Sequence, residues 1–276
     1  MLEVHRTYRA KIRNHSQVEE SLDRHGWSAS KLWNVANYHS RQVWEETGEI
    51  PDHEELKDEL KTHPKYKGLH SQSSQRVLEE LAEAFNSWYS SDDDRDNPPG
   101  YRKENYCDDE GRRVHEEHPR STVTWKQNGI RHDTKNNRVR LSKGANHKEH
   151  PKAWEYILVE YEIRPGVEVE NLQQVRAVYD QAKERWELHL VCKDEVETPT
   201  APGTETAGID LGISNFAAVA YSTEDADLYP GNRLKQDGYY FPKEIAKSDD
   251  SGGERATHFH AKWSERRTHF FHSLAK

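Results

Sequence analysis

Residues 207–222 read Ala-Gly-Ile-Asp-Leu-Gly-Ile-Ser-Asn-Phe-Ala-Ala-Val-Ala-Tyr-Ser, and this stretch restricts the fold more than any other. Two apolar runs flank Gly212-Ile213-Ser214-Asn215, a tetrad of the hairpin kind. The pattern predicts strand, tight turn, strand. Asp210 interrupts the first run. A carboxylate in a strand that otherwise reads as buried is costly unless it is paired or binds a metal. Gly208 and Gly212 bracket it and leave room for a ligand or another backbone to approach.

The rest of the chain must supply the core around that hairpin. With 276 residues it is long enough for one large domain or two. Only 33% of residues are hydrophobic and 32% are charged, yet there are 8 Trp and 13 Tyr, so apolar area is concentrated in aromatics. This reads as a folded chain with a very polar surface. The net charge of −9 opposes phosphate binding, which needs Lys and Arg. Proteins that work in very high salt also carry acidic surfaces, where the screening length falls to about 3 Å near 1 M. The runs Asp92-Asp93-Asp94 and Asp249-Asp250 read as such halophilic decoration. Cys107 and Cys192 are far apart and form no CxxC, which excludes a disulfide framework and a cysteine zinc site within the chain. No apolar run approaches the ~20 residues of a membrane helix, and the N-terminus does not read as a signal peptide. A cytoplasmic protein without membrane partners is expected.

Along the chain, residues 2–13 alternate weakly and suggest a strand with Arg6, Arg9, Lys11 and Arg13 between its apolar positions. A helix is expected from an N-cap at Ser28, through Leu32, Val35, Ala36, His39 and Val43. Pro51 opens a short charged helix to about Thr62, and Ser73–Ser90 carries a clear stripe of Val77, Leu78, Leu81, Phe85, Trp88 and Tyr89. Residues 91–100 break the pattern. Tyr101-Arg102-Lys103 follows, an aromatic beside two cations that can stack a base and hold phosphates, or serve as an ordinary surface triplet. Residues 120–193 change to antiparallel strands of a barrel or curved sheet, ending in a hairpin around Gln181-Ala182-Lys183-Glu184. Residues 198–206 read as a linker. After Ser222 a loop is expected up to Gly253, and then a basic, aromatic helix over 254–276.

Asp210 is the best chemical candidate, as a ligand for a divalent cation beside a phosphate or as an acceptor for turn amides. Two-metal phosphodiester cleavage holds its ions ~4 Å apart between several carboxylates, so Asp210 alone does not suffice. His258, His260, His269 and His272 lack partners at metal-site spacing and read as exposed or interfacial. There is no P-loop, GxGxxG or Ser-His-Asp arrangement. Gly-Ile-Asp-Leu-Gly also looks like the first phosphate loop of the actin and sugar-kinase ATPases, but there it opens the chain, whereas here it begins at residue 208.

Taken in order, these parts resemble TnpB, the OrfB-type transposon-encoded RNA-guided endonucleases related to type V CRISPR effectors. Gly208-Ile209-Asp210-Leu211-Gly212 is similar to the first motif of their RuvC-like nuclease, with Asp210 at the catalytic and metal-binding position. Ser30-Lys31-Leu32-Trp33-Asn34 resembles an early helix element, and Gln75-Arg76-Val77-Leu78 through Phe85 the next helix. Pro99-Gly100-Tyr101-Arg102-Lys103 resembles the element before the barrel, and Arg266-Arg267-Thr268-His269-Phe270 the helix leading to the second nuclease motif.

The resemblance implies an α+β fold. A wedge-like antiparallel β-barrel (1–14 and 101–197) would carry a helical recognition insert (15–100), followed by the N-terminal part of an RNase H-like (RuvC) nuclease (198–276). It implies guide RNA and target DNA as partners, Mg²⁺ as the metal, and Arg6, Arg9, Lys11, Lys31, Asn34, Gln75, Tyr101, Arg102 and Lys103 as nucleic-acid contacts. Family members continue to a second acidic motif, a four-cysteine zinc ribbon and a third acidic motif, while this sequence stops at Lys276. The expectation is therefore a truncated transposase-family protein with an incomplete nuclease site, no zinc and no cleavage by itself. The alternatives are a nuclease-dead RNA- and DNA-binding module and a decayed fragment without function.

Overall fold

The structure is a computed structural model. It describes residues 2–91, 97–102, 105–107, 113–115, 119–150, 155–181, 183–197, 203–212, 214–249 and 254–275. The chain separates into two compact units, residues 1–180 with 185–196 and residues 181–184 with 197–276.

The first unit runs β1 (Leu2–Ile12), α1 (His15–Thr47), α2 (His53–Leu60), α3 (Ser71–Tyr89), β2 (Asn105–Cys107), β3 (Arg113–His115), β4 (Val123–Lys126), β5 (Ile130–Asp133), β6 (Arg138–Ser142), β7 (Tyr156–Glu162), β8 (Leu172–Asp180) and β9 (Arg185–Val196). Seven strands form one antiparallel sheet in the order β4-β8-β9-β1-β7-β6-β5, and β2 pairs with β3 apart from it. The two end strands, β4 and β5, are consecutive in the chain and joined by the single 3₁₀ turn 127–129, so the sheet curls into a nearly closed barrel. Strand alternation turns Trp186, Leu188, Leu190 and Cys192 of β9 inward with Val139, Leu141, Val159 and Trp125, all fully buried. The same core continues into the helices through Leu22, Leu32, Leu56, Leu78, Leu81 and Phe85.

The first helix is far longer than the pattern around Leu32 predicts. It begins at His15, and Ser28 is no cap but a buried residue in mid-helix whose hydroxyl donates to the Arg24 carbonyl. Its first half has few aliphatics, so the core stripe there is completed by His25 and Gly26. Gly26 is needed because a Cβ at this position would lie 2.9 Å from the Trp186 ring. Asn14 precedes the helix and clamps the barrel instead of the helix end. Its amide donates to the Leu158 carbonyl (2.9 Å) and accepts from the Glu160 N–H (2.9 Å). The helix stops at Gly48, left-handed at φ 77°, with its N–H on the Trp44 carbonyl. The second helix starts with a capping box of Asp52 and Glu55.

His25 is 1% exposed. Its Nδ1 lies 2.7 Å from the Ser21 carbonyl, and its Nε2 accepts the Gly144 N–H at 3.4 Å. Burial pushes its pKa down to about 4.

The second unit holds β10 (Ala207–Leu211), β11 (Asn215–Tyr221), β12 (Ala226–Pro230), α4 (Asn232–Asp249) and α5 (Glu254–Leu274). The three strands form an antiparallel meander. The loop expected after Ser222 is instead β12 and α4. Gly238 and Pro242 disguise α4 in the sequence, but packing against α5 overrides them. Phe241 stacks on Trp263 at 6.0 Å, and Arg266 Nε donates to Asp237 at 2.8 Å. No helix among the described residues is long and apolar enough to cross a membrane.

Candidate nucleic-acid interface

The hairpin forms as its sequence predicts, with Ile209 opposite Val219, Asp210 opposite Ala218 and Leu211 opposite Ala217. Its environment differs from the expectation. All five residues of β10 are exposed, so the Asp210 carboxylate meets solvent and carries no burial cost. Ile209 and Leu211 are 67% and 69% exposed, because β10 is an edge strand paired only with β11 among the described residues. On the face of Asp210 the row across the sheet continues with Ala218 and Leu228. Asp227 lies in the adjacent row opposite Val219, on the other face, where it accepts the Tyr221 hydroxyl. Among the described residues no group of three or more His, Cys, Asp or Glu could hold a metal ion. One carboxylate beside alanine and leucine does not fit the octahedral oxygen set that Mg²⁺ requires.

Asn34 of α1 and the segment that carries Tyr101 and Arg102 do come together. Residues 99–102 lie along α1 and are held by their backbone. Trp33 Nε1 donates to the Gly100 carbonyl at 2.9 Å, and Asn37 Nδ2 and Arg41 Nη2 each donate to the Pro99 carbonyl at 2.8 Å. Asn34 closes the latch on Arg102, accepting its N–H at 2.8 Å and donating to its carbonyl at 3.1 Å. The Asn34 amide therefore fixes a peptide rather than reaching outward. The Arg102 guanidinium stacks on the Trp33 ring at 3.8 Å and pairs with Glu80 at 3.4 Å. Burial lowers its pKa, with Glu80 opposing. Tyr101 is 40% exposed, with the Arg41 guanidinium 5.4 Å from its ring. Lys103 lies outside the described residues. Gln75 is engaged with the Tyr66 phenol. Replacing Asn34 with Ala is expected to cost about 1–3 kcal/mol by orphaning two peptide groups. Faster hydrogen exchange and proteolysis within 99–102 would report it, and unchanged protection there would contradict the latch.

The basic residues of β1 do not form one patch. Alternation places Arg6 on the side of Tyr8, Ala10 and Ile12, and Arg9 and Lys11 on the other. Arg6 sits 3.7 Å from Asp194, which also accepts the Tyr8 hydroxyl. Arg9 donates to Glu187 at 2.7 Å. Lys11 is exposed, in register with Glu187 and Glu162. Arg9 shares its row with His189 and Arg176. Burial and those two arginines push the His189 imidazole below its usual range, with Glu187 opposing.

Lys31 is placed over the Trp27 ring at 5.4 Å, with Lys65 over the same ring at 5.8 Å. Lys65 was not singled out from the sequence. It lies 34 positions beyond Lys31, and only the fold reveals the shared ring. Arg41 and Arg176 were missed in the same way, for no motif marks them.

Residues 189–276 match the OrfB_IS605 family model, described as a probable transposase. A TnpB-like protein, ORF457 of the Acidianus two-tailed virus, is 25% identical over 261 residues, covering 83% of this chain and 51% of the viral protein. The chain thus spans about half the length of the curated relative it matches. The cryo-EM structure of a Cas12f1–sgRNA–target DNA complex has the same fold, with a TM-score of 0.54 over 94% of this chain and 60% of that one, at 10% identity. The TnpB-type resemblance and the α+β fold both stand on these matches.

Proposed function

We propose that this chain is a TnpB-type nucleic-acid-binding protein that holds a guide RNA and its paired DNA target. The observation that carries the reading is a fold shared with the Cas12f1–sgRNA–target DNA complex over 94% of the chain, ending in a probable-transposase match. A barrel joined to helices recognises a heteroduplex by its backbone shape, and base pairing supplies the sequence. The exposed cations Lys11 and Lys65, the half-buried Lys31 and the aromatics Trp27 and Tyr101 are the groups such a backbone and its unpaired bases would meet. The acidic net charge lowers long-range attraction, so binding rests on these local contacts and on salt conditions.

Binding, rather than cleavage, is the activity assigned to these residues. Asp210 stands without a second carboxylate in its row, and Mg²⁺-dependent scission would need further ligands. The test is titration of a fluorescent single-stranded RNA into the purified protein at several salt concentrations. Binding should weaken linearly with log salt, and Asp210→Ala should leave it unchanged. No binding at any salt would refute the reading. Metal-dependent nicking of guide-matched DNA by the same protein would refute the assignment of binding without cleavage.

A further inference from the structure

Helices α4 and α5 run antiparallel, and two contacts fix their register. Phe241 stacks on Trp263, and one turn further on Asp237 accepts from Arg266 at 2.8 Å. Continuing the ladder by another turn sets Arg233 and Leu234 of α4 beside His269 and Phe270 of α5. A cavity of about 320 Å³ opens there, bounded by these four residues, Glu265 and the Asp237–Arg266 pair. Small-molecule sites begin at about 300 Å³, so the space suits a ligand the size of one nucleotide.

The walls of this trough differ in chemistry. Leu234 and Phe270 are half-buried and give it an apolar side, and the Phe270 ring is anchored edge-on against Phe216 of β11 at 5.7 Å. The Asp237 carboxylate is buried, and Arg266 matches its charge. Arg233 and Glu265 are exposed, and neither joins an ion pair among the described residues. By the register, Arg233 lies opposite Phe270, five positions or about 7.5 Å along α5 from Glu265. The cation and the acid therefore stand towards opposite ends of the trough and do not neutralise each other.

We infer that the trough between α4 and α5 is a guanine-nucleotide subsite, in which Arg233 holds the phosphate, Leu234 and Phe270 take the face of the base, and Glu265 accepts its N–H groups. A guanidinium suits the phosphate because its N–H fork bonds two oxygens at once. A base of a single strand is stacked on apolar or aromatic groups and read along its pairing edge. Guanine presents adjacent N–H donors at N1 and N2 on that edge, so one carboxylate accepts both. Adenine and cytosine set a donor beside an acceptor there, and uracil sets one donor between acceptors, which a carboxylate repels. Glu265 therefore favours guanine. This inference rests on the nucleic-acid reading above and gives one base of the strand a specific place.

The test titrates the full chain with two single-stranded RNA oligonucleotides of equal length, one of uridines alone and one with guanines among them. Wild type is compared with Glu265→Gln and Arg233→Gln. Wild type should bind the guanine-containing strand about 10-fold more tightly, the scale of one bidentate base contact. Glu265→Gln should abolish that preference and leave the salt slope unchanged. Arg233→Gln should weaken binding of both strands and reduce the slope by about 0.7, the value for one single-strand phosphate contact. Both side chains are exposed, so the variants should melt with wild type. A lower melting temperature in either would overturn their placement at an open site. Equal affinity of wild type for the two strands, or a preference that Glu265→Gln retains, would overturn the subsite and leave the nucleic-acid reading standing. No RNA binding by wild type at any salt would overturn both. A guanosine monophosphate arm separates the sources. Thermal protection by that nucleotide, lost in Glu265→Gln and without any guanine preference in the strand, would show a free-nucleotide pocket and overturn the strand assignment.

Discussion

Gly144→Ala is expected to destabilise the barrel-and-helix unit by about 3 kcal/mol, the upper part of the range for overpacked cores. The added methyl would lie 2.3 Å from the Gly68 carbonyl oxygen, 2.4 Å from its carbon and 2.6 Å from the Leu69 nitrogen. All three are backbone atoms, so no side chain can rotate away. Gly144 has an ordinary extended backbone (φ −63°, ψ 154°), and the cost is therefore contact alone and not backbone strain. The clash also strikes a second link. The Gly144 N–H is the donor to buried His25, so moving the loop would leave that ring nitrogen without its partner. Thermal unfolding should show a drop of about 6–12 °C for a unit of this size. Gly100→Ala is the control, because a Cβ there meets nothing within 4 Å. If Gly144→Ala melts with wild type, the close approach of the two loops is wrong.

Acidification should have a comparable effect through His25. In the unfolded chain its imidazole titrates at 6.5, whereas burial lowers this to about 4 in the fold. The unfolded state therefore binds the proton first. The stability linked to this group is complete above pH 6.5, declines as the pH falls towards 4, and changes no further below that. The full difference amounts to about 3 kcal/mol. The groups around the ring reinforce the direction. His147 lies 4.8 Å away with its ring tilted by 42°, and it adds positive charge together with Lys143 and Arg24, while the hydrogen bond to the Ser21 carbonyl opposes them. His70, His132 and His147 are also lowered by burial and contribute with the same sign. Urea unfolding measured from pH 7 to 4 should show the loss. His25→Phe should flatten the profile above pH 4.5 even if it lowers the absolute stability. A profile of equal slope in that variant would show that His25 carries none of the dependence. Carboxylates held below their usual range, such as Asp133 by Asn136 and Arg138, act only at lower pH.

Several elements were legible because their signal is local. The alternation in β7 and β9 and the 3.6-residue stripe of α3 specify element type without reference to partners. The first half of α1 was not legible, because His25 and Gly26 occupy core positions that hydrophobic patterns do not count. Helix α4 was hidden behind Gly238 and Pro242, and its stacking on Trp263 lies 22 positions beyond Phe241. Among the site residues, Asn34, Tyr101 and Arg102 were expected as separate nucleic-acid contacts, and only the fold sets Asn34 against Arg102. The structure gives Asn34 a different task, since its partner is the Arg102 backbone 68 residues away.

By itself, the sequence determined the hairpin at 207–221, the succession of helices and antiparallel strands, and the motif order that resembles TnpB. These follow from side-chain periodicity, turn chemistry and residue identity, which act over a few positions. Tertiary structure alone decided exposure and pairing. Asp210 sits in an apolar strand yet lies open to solvent, because burial depends on what packs against β10. Arg233 and Glu265 are ordinary surface charges until the register of α4 and α5 sets them along one trough. Charge becomes chemistry only when distance is fixed, and distance between residues far apart in the chain is set by packing.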